Sequence, residues 1–262
     1  VVIDTGAVVD ITDAALDGRN STTLTINVAA DTDISDAIIT GNLGTQDANY
    51  TIDVAANADA ITMMIAQHAL LGTVTDGGDA TITLSDAGTV TGNANIGAYA
   101  LATAGGTTFT LGSDTQSVTT GTGGADTVDV GTRTATGTFT TIATDTIKLD
   151  TGADVQGVDS GAGAGGAFTA NNLSLVSGAS VTMTAAQNNS FSGTITAAGS
   201  ETITLSDANA ATGLTNIEAY TLANGAQTFT LGAASQDVTT GSGAVVIDTG
   251  AVVDITDAAL DG

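Results

Sequence analysis

The side chains with chemical reach in this 262-residue chain are almost all aspartates. Acidic residues number 28, of which only Glu201 and Glu218 are glutamate, against the three cations Arg19, Arg133 and Lys148, a single histidine, His68, and no cysteine. A nucleophilic triad needs a base beside its hydroxyl, and the place of His68 is taken by Asn188 in the matching stretch further along the chain. Zinc sites call for clustered histidine, cysteine and carboxylate ligands, and one histidine without cysteine makes no such cluster. Carboxylate pairs are unavoidable among so many aspartates, so closeness in sequence carries no weight as acid–base machinery. Aspartate used almost to the exclusion of glutamate points instead to turns and to oxygen sites for hard cations. The expectation is that the chain is not an enzyme.

The charge balance removes further classes. A formal net charge of −25 repels phosphate, so nucleic acid is not an expected partner, and neither is an anionic membrane surface. A lyase acting on acidic polysaccharide would need cations to hold its substrate and offset developing charge, and three cations do not supply them. "GAGAGGAF" at 161–168 lacks the lysine and the strand–helix context of a phosphate loop, and reads as a flexible turn. No run of 18 apolar residues suggests a spanning helix, and no basic-then-apolar leader is seen. Absence of cysteine suits either a reducing cytosol or an exported protein that dispenses with disulfides. With 42% apolar residues spread evenly, the chain is too hydrophobic for a disordered acidic tail.

The elements that must position these residues emerge from repeats. "VVIDTGAVVDITDAALDG" occupies 1–18 and again 245–262, an offset of 244. Within that span, "TITLSDAGTVTGNANIGAYALATAGGTTFTLGSDTQSVTTG" from Thr81 matches "TITLSDANAATGLTNIEAYTLANGAQTFTLGAASQDVTTG" from Thr202, offset by 120 to 121. The organisation expected is a half-repeat at 1–122, a second at 123–244, and the start of a further repeat at 245–262. A finer step is marked by Ser/Thr-Asp-Ala at Thr12, Ser35, Ser85, Ser206 and Thr256, spaced 23, 50, 121 and 50, near multiples of 24. Such a period is the signature of a solenoid, and an Asp or Ser after a strand can turn the chain by bonding its own backbone.

Local patterning agrees. Leu101, Phe109, Val118 and Val128 recur every 8 to 10 residues with glycines between them, as short strands separated by turns do. One coil cannot bury its inward side chains; stacked coils can. The fold expected is therefore all-β, a parallel β-solenoid with coils of about 24 residues. The alternative is tandem β-sandwich domains, disfavoured by 3% aromatics without tryptophan. Ile61, Met64, Ile65, His68 and Leu71 have helical spacing that their counterparts carry poorly, so at most a short helical turn is expected, with His68 a partly exposed packing residue.

One segment suggests a ligand. "GTGGADTVD" at 121–129 resembles the calcium-binding nonapeptide of RTX proteins, with Thr122 in place of a glycine. The resemblance implies Ca²⁺ held by Asp126, with Asp129 and Gly124 beside it. The partner stretch "GSGAVVIDTG" from Gly241 lacks the motif aspartate, and Asp126 as a turn-former is the competing reading. More broadly, "VTMTAAQNNSFSGTITAAGSETITLSDA" and "TNIEAYTLANGAQTFTLG" resemble the Thr/Ala/Gly/Asp-rich repeats of giant bacterial surface proteins, the RTX-associated adhesins and S-layer proteins. That resemblance implies type I export, an extracellular or cell-surface site and calcium-dependent folding or assembly.

Together these features lead to an expected structural role: a repeat of an extracellular filament, surface layer or adhesin stalk that self-associates end to end. Divalent cations would offset its self-repulsion. No distinct capping segment is evident, so the chain is expected to be either a window on a longer array or a stacking subunit. The second expectation is an adhesive module for a glycan, a cell surface or a solid surface including ice, using the pairs Thr81/Thr83, Thr108/Thr110, Thr202/Thr204 and Thr228/Thr230.

Overall fold

The computed structural model describes residues 60–69, 71–74, 80–161, 163–170 and 172–250, together with short segments between residues 2 and 54 and at 260–261. It is an all-β protein of parallel strands stacked as a β-solenoid, with almost no helix. Two compact units divide it at Gly124/Ala125.

In the first unit the strands Ala60–Met63, Thr81–Leu84, Ala98–Ala100 and Ser117–Thr119 stack in one sheet. Their inward residues form a column, Ile61 on Ile82 on Tyr99 on Val118, with Thr62, Thr83, Ala100 and Thr119 in the neighbouring outward column. Alternation of buried and half-exposed residues along Thr81–Leu84 is the period of two that a pleated strand imposes. A second wall pairs Thr89–Thr91 with Thr108–Thr110 and sets Val90 against Phe109. Nearer the start, Val2–Thr5, Thr23–Val28, Asn49–Val54 and Leu71–Val74 form a further parallel sheet.

The second unit repeats the plan. Val128, Ile147, Leu173 and Ile195 form one inward column; Val181, Ile203, Tyr220 and Val238 form another. Ala211, Phe229 and Ile247 line a third wall.

Coil length is less regular than a 24-residue step. Successive members of these columns lie 17 to 26 residues apart, as in Ile82 to Tyr99 and Ile147 to Leu173. Register is held by the buried column, because a slip of one residue would turn every apolar side chain outward. Turns are free to absorb length, and the long coil between Ile147 and Leu173 contains the glycine loop at 161–166. There Gly161, Gly163 and Gly165 adopt positive φ, a conformation glycine reaches without a Cβ clash.

The Ser/Thr-Asp-Ala motif proves to be a bond between coils rather than a local turn. Asp86 accepts from the Ile65 amide at 2.7 Å, and Asp207 accepts from the Ala185 amide at 2.7 Å. Both amides open one-turn helices, Ile65–His68 and Ala185–Ser190, laid on the preceding coil. A carboxylate at a helix start satisfies an N–H that has no partner within the helix. Asp13, Asp36 and Asp257 of the other copies lie outside the described residues.

Where the chain must turn inside the core, polar side chains replace water. Gln116 donates to the Asn93 and Ile96 carbonyls and accepts from the Gly112 amide at 2.7 Å. Gln236 does the same in the second unit, with Leu214, Ile217 and Gly232. Each glutamine thus pairs backbone groups that would otherwise be buried unsatisfied. Small neighbours are needed as well: a Cβ at Gly232 would collide with the Gly213 carbonyl oxygen, as one at Gly112 would with that of Gly92.

Candidate functional site

Asp126, Asp129 and Gly124 were the residues with a ligand role implied by sequence. Gly124 ends the first unit, where a Cβ would lie 2.8 Å from the Ala104 carbonyl oxygen; its small size lets adjacent turns approach. Asp126 belongs to the second unit and is buried, 1% exposed. Its amide donates to the Asp145 carboxylate at 2.9 Å and its carbonyl accepts from the Thr146 amide at 2.8 Å. Asp129 stands on the strand Thr127–Gly131, in register with Lys148 on the next coil.

That register decides the chemistry at Asp129. One of its carboxylate oxygens accepts from Lys148 Nζ at 2.6 Å and the other from the Gly131 amide at 3.0 Å. The Asp129 hydrogen bond holds the Lys148 ammonium above its usual pKa, with partial burial opposing and the charges of Asp129 and Asp150 adding to it. A calcium ion at Asp129 would have to displace this ammonium. Among the described residues no group of three or more His, Asp or Glu side chains could hold a metal ion.

His68 is buried rather than partly exposed, at 7%. The Asn93 amide donates to the Tyr99 hydroxyl at 2.8 Å, and that oxygen lies 2.9 Å from His68 Nε2. The direction of this His68–Tyr99 bond follows the tautomer of the imidazole. Burial lowers the His68 pKa and raises that of the Tyr99 hydroxyl, with the Asn93 bond opposing. The second unit carries the same relay: the Leu214 amide donates to Tyr220, which donates to Asn188 Oδ1 at 3.1 Å. Histidine and asparagine hold the same place in the two units, each within hydrogen-bond distance of the tyrosine hydroxyl.

The chain's two glutamates meet on adjacent coils. Glu201, 0% exposed, accepts from the amides of Ala198, Gly178, Gly199 and Ser200 at 3.0, 3.2, 2.8 and 3.0 Å. Burial alone would raise its pKa, but the Ser200, Ala198 and Gly199 amides and the contact with Glu218 outweigh it and hold the carboxyl at about 2. Glu218 in turn accepts from the Glu201 amide at 3.2 Å. Sequence reasoning used these two residues only for counting. Their signal was positional, since each directly precedes a strand at the site of a tight turn, where Ala80 and Gly97 stand in the first unit.

No protein-family model, no curated protein and no solved structure matches this chain.

Val245–Asp248 pairs with Gln227–Thr230 and is the terminal strand of its sheet among the described residues. Val246 is 58% exposed and is the one exposed large hydrophobic side chain among them. Ile247, in column with the fully buried Phe229, is only half-buried.

Proposed function

We propose that this chain is a structural repeat of an extracellular filament, surface layer or adhesin stalk that continues end to end. The observation that carries this reading is the recurrence of residues 1–18 at 245–262, where Val245–Asp248 stacks as a further coil on Gln227–Thr230. The mechanism is mechanical. Backbone hydrogen bonds between coils run along the axis, and identical buried columns continue from one repeat into the next. Location outside the cell and type I export belong to the same proposal, on the strength of the resemblance to giant repetitive surface proteins. Calcium enters as a counterion to the charge of −25 and, on the resemblance to the RTX nonapeptide, as an ion held beside Asp126, Asp129 and Gly124.

The test is electron microscopy of the protein in millimolar Ca²⁺ and after chelation. At about 20 residues per coil a 244-residue repeat holds about 12 coils, and a rise of about 4.8 Å per coil gives an axial repeat of about 58 Å. Filaments or sheets with that repeat are expected, loosening on chelation. Dispersed monomers in both conditions would overturn the reading.

A second reading draws on one specific feature. Thr182, Thr204, Thr221 and Thr239 form an unbroken outward row in register on four successive coils, a regular array of hydroxyl and methyl groups suited to an ordered solid surface or a glycan. Thermal hysteresis or a positive glycan array, abolished by Thr204→Tyr, would favour an adhesive module instead.

A further inference from the structure

The duplicated units share one apparatus around their helical turns and differ there in one titratable side chain. Tyr99 and Tyr220, Gln67 and Gln187, Asp86 and Asp207 hold matching places, and in each unit the aspartate accepts from the first amide of the helix. His68 ends the first helix, Ile65–His68; Asn188 takes its place in the second, Ala185–Ser190.

The two helices are not held alike. Thr184 caps the second by accepting from the Gln187 amide at 3.1 Å, while Met64 offers the first no side-chain cap. Asn188 donates to the Thr212 carbonyl at 2.8 Å. Asn189 donates to the Ala210 carbonyl at 2.9 Å and accepts from the Thr212 amide at 3.0 Å. In the first unit Ala69 stands in the place of Asn189 and has no polar side chain to reach the next coil. Asp86 ties the start of Ile65–His68, and Tyr99 ties its end.

The tie at the end is the one that acid can break. His68 is buried with its ring edge-on to that of Tyr99, 5.5 Å between centroids. A protonated imidazole can only donate, and the hydroxyl facing it already accepts from the Asn93 amide. Of the elements on the following coils, the strand Ala98–Ala100 brings Tyr99, the turn at 93–96 brings Asn93 and Asn95, and the strand Thr81–Leu84 brings no titratable group. The Asp86 carboxylate is bonded to the Ile65 amide, at the opposite end of the helix. Among the described residues His68 makes no ion pair. A helix C-terminus attracts a cation, but a single turn sums few peptide dipoles, and burial opposes the charge. A buried charge without a partner is relieved by reaching water, and the short route for His68 is to unwind the turn that carries it.

We infer that the turn Ile65–His68 is an acid-sensitive latch: protonation of His68 frees it from Tyr99 and opens the first unit there, while the second unit, held by Asn188, stays closed. The opened ring takes up its proton near the ordinary 6.5 and the latched ring only at lower pH, so the latch is complete above about 6.5 and fails as pH falls below it. The device lies within one unit and does not depend on end-to-end assembly.

His68 is the one histidine of the chain, so its imidazole C–H resonance is assigned without a variant. The full chain is titrated by NMR from neutral to acid pH. Amide-exchange protection, corrected for the intrinsic pH dependence of exchange, is read by mass spectrometry at 60–69 and 180–191 in wild type and in His68→Asn. The histidine is expected to titrate below 6.5. Protection at 60–69 should be about tenfold lower at pH 5 than at pH 7, with none of that fall at 180–191 or in His68→Asn. A histidine titrating at or above 6.5 would overturn the latch. So would protection at 60–69 that holds through the titration, that falls equally at 180–191, or that falls as far in His68→Asn. If that variant does not fold, the wild-type titration and the comparison of the two segments decide alone.

Discussion

Glutamine in place of Glu201 tests whether buried charge stabilises this solenoid through its turns. The carboxylate is fully buried and accepts four amide protons, two on each oxygen, from Ala198 and Gly178 and from Gly199 and Ser200. Its pKa is about 2 in the folded chain, against an ordinary 4.5. At about 1.4 kcal/mol per pKa unit, the ionised form contributes about 3 kcal/mol at neutral pH. The sign follows from the direction of the shift. The unfolded chain takes up a proton near pH 4.5 and the folded chain only near pH 2, so the contribution is complete above 4.5 and disappears as pH falls through that window. In Glu201→Gln the amide nitrogen faces two N–H donors it cannot accept from, and each donor left unsatisfied costs about 1–3 kcal/mol. Urea unfolding of wild type and variant from pH 7 to pH 2, followed by amide exchange at Ala198, Gly199 and Ser200, reads both effects. The variant is expected to lose about 3 kcal/mol at pH 7, with the gap closing below pH 4.5. Equal stability at pH 7, or a gap independent of pH, would refute the account of Glu201 as a charged turn clamp.

Three further outcomes follow from the same geometry. Because burial lowers the His68 pKa, the unfolded chain protonates first, so the first unit loses stability as pH falls below about 6.5; His68→Asn, which copies Asn188, should remove that loss as read by thermal melts at pH 5 and 7. Gly232→Ala drives a methyl into the Gly213 carbonyl, and overpacking of this kind should cost about 1–3 kcal/mol in chemical denaturation, with amide exchange rising first around 213 and 232. Lys148→Ala removes an ion pair whose lysine side chain is 34% exposed, so the expected loss is below about 1 kcal/mol; calorimetric titration of that variant with Ca²⁺ should show whether a released Asp129 can take the ion.

The differences between the duplicated units sharpen the pH argument. His68 belongs to the first unit and Glu201 to the second, while their counterparts, Asn188 and Ala80, do not titrate. Acid should therefore loosen the first unit in the range set by histidine and the second in the range set by glutamate. Two transitions at different pH are the expected outcome of a calorimetric series.

What the amino-acid sequence determined by itself was the repeating, local part of the structure. Period-two alternation in "TITL", the offset near 120 and the small step marked by Ser-Asp-Ala establish short strands, duplication and coils, because each depends on residues close together or on identity between copies. What only the tertiary structure decided lies between coils. Asp86 reaches the helix start of the coil before it, Asp129 meets Lys148 rather than a free position, and Glu201 closes its turn beside Glu218. These partners stand 17 to 21 residues apart, and coil lengths from 17 to 29 leave no fixed step by which to find them. The physical reason is that register follows the buried column of apolar side chains, while the turns take whatever length remains. Which polar side chain meets which is therefore set only when the coils stack.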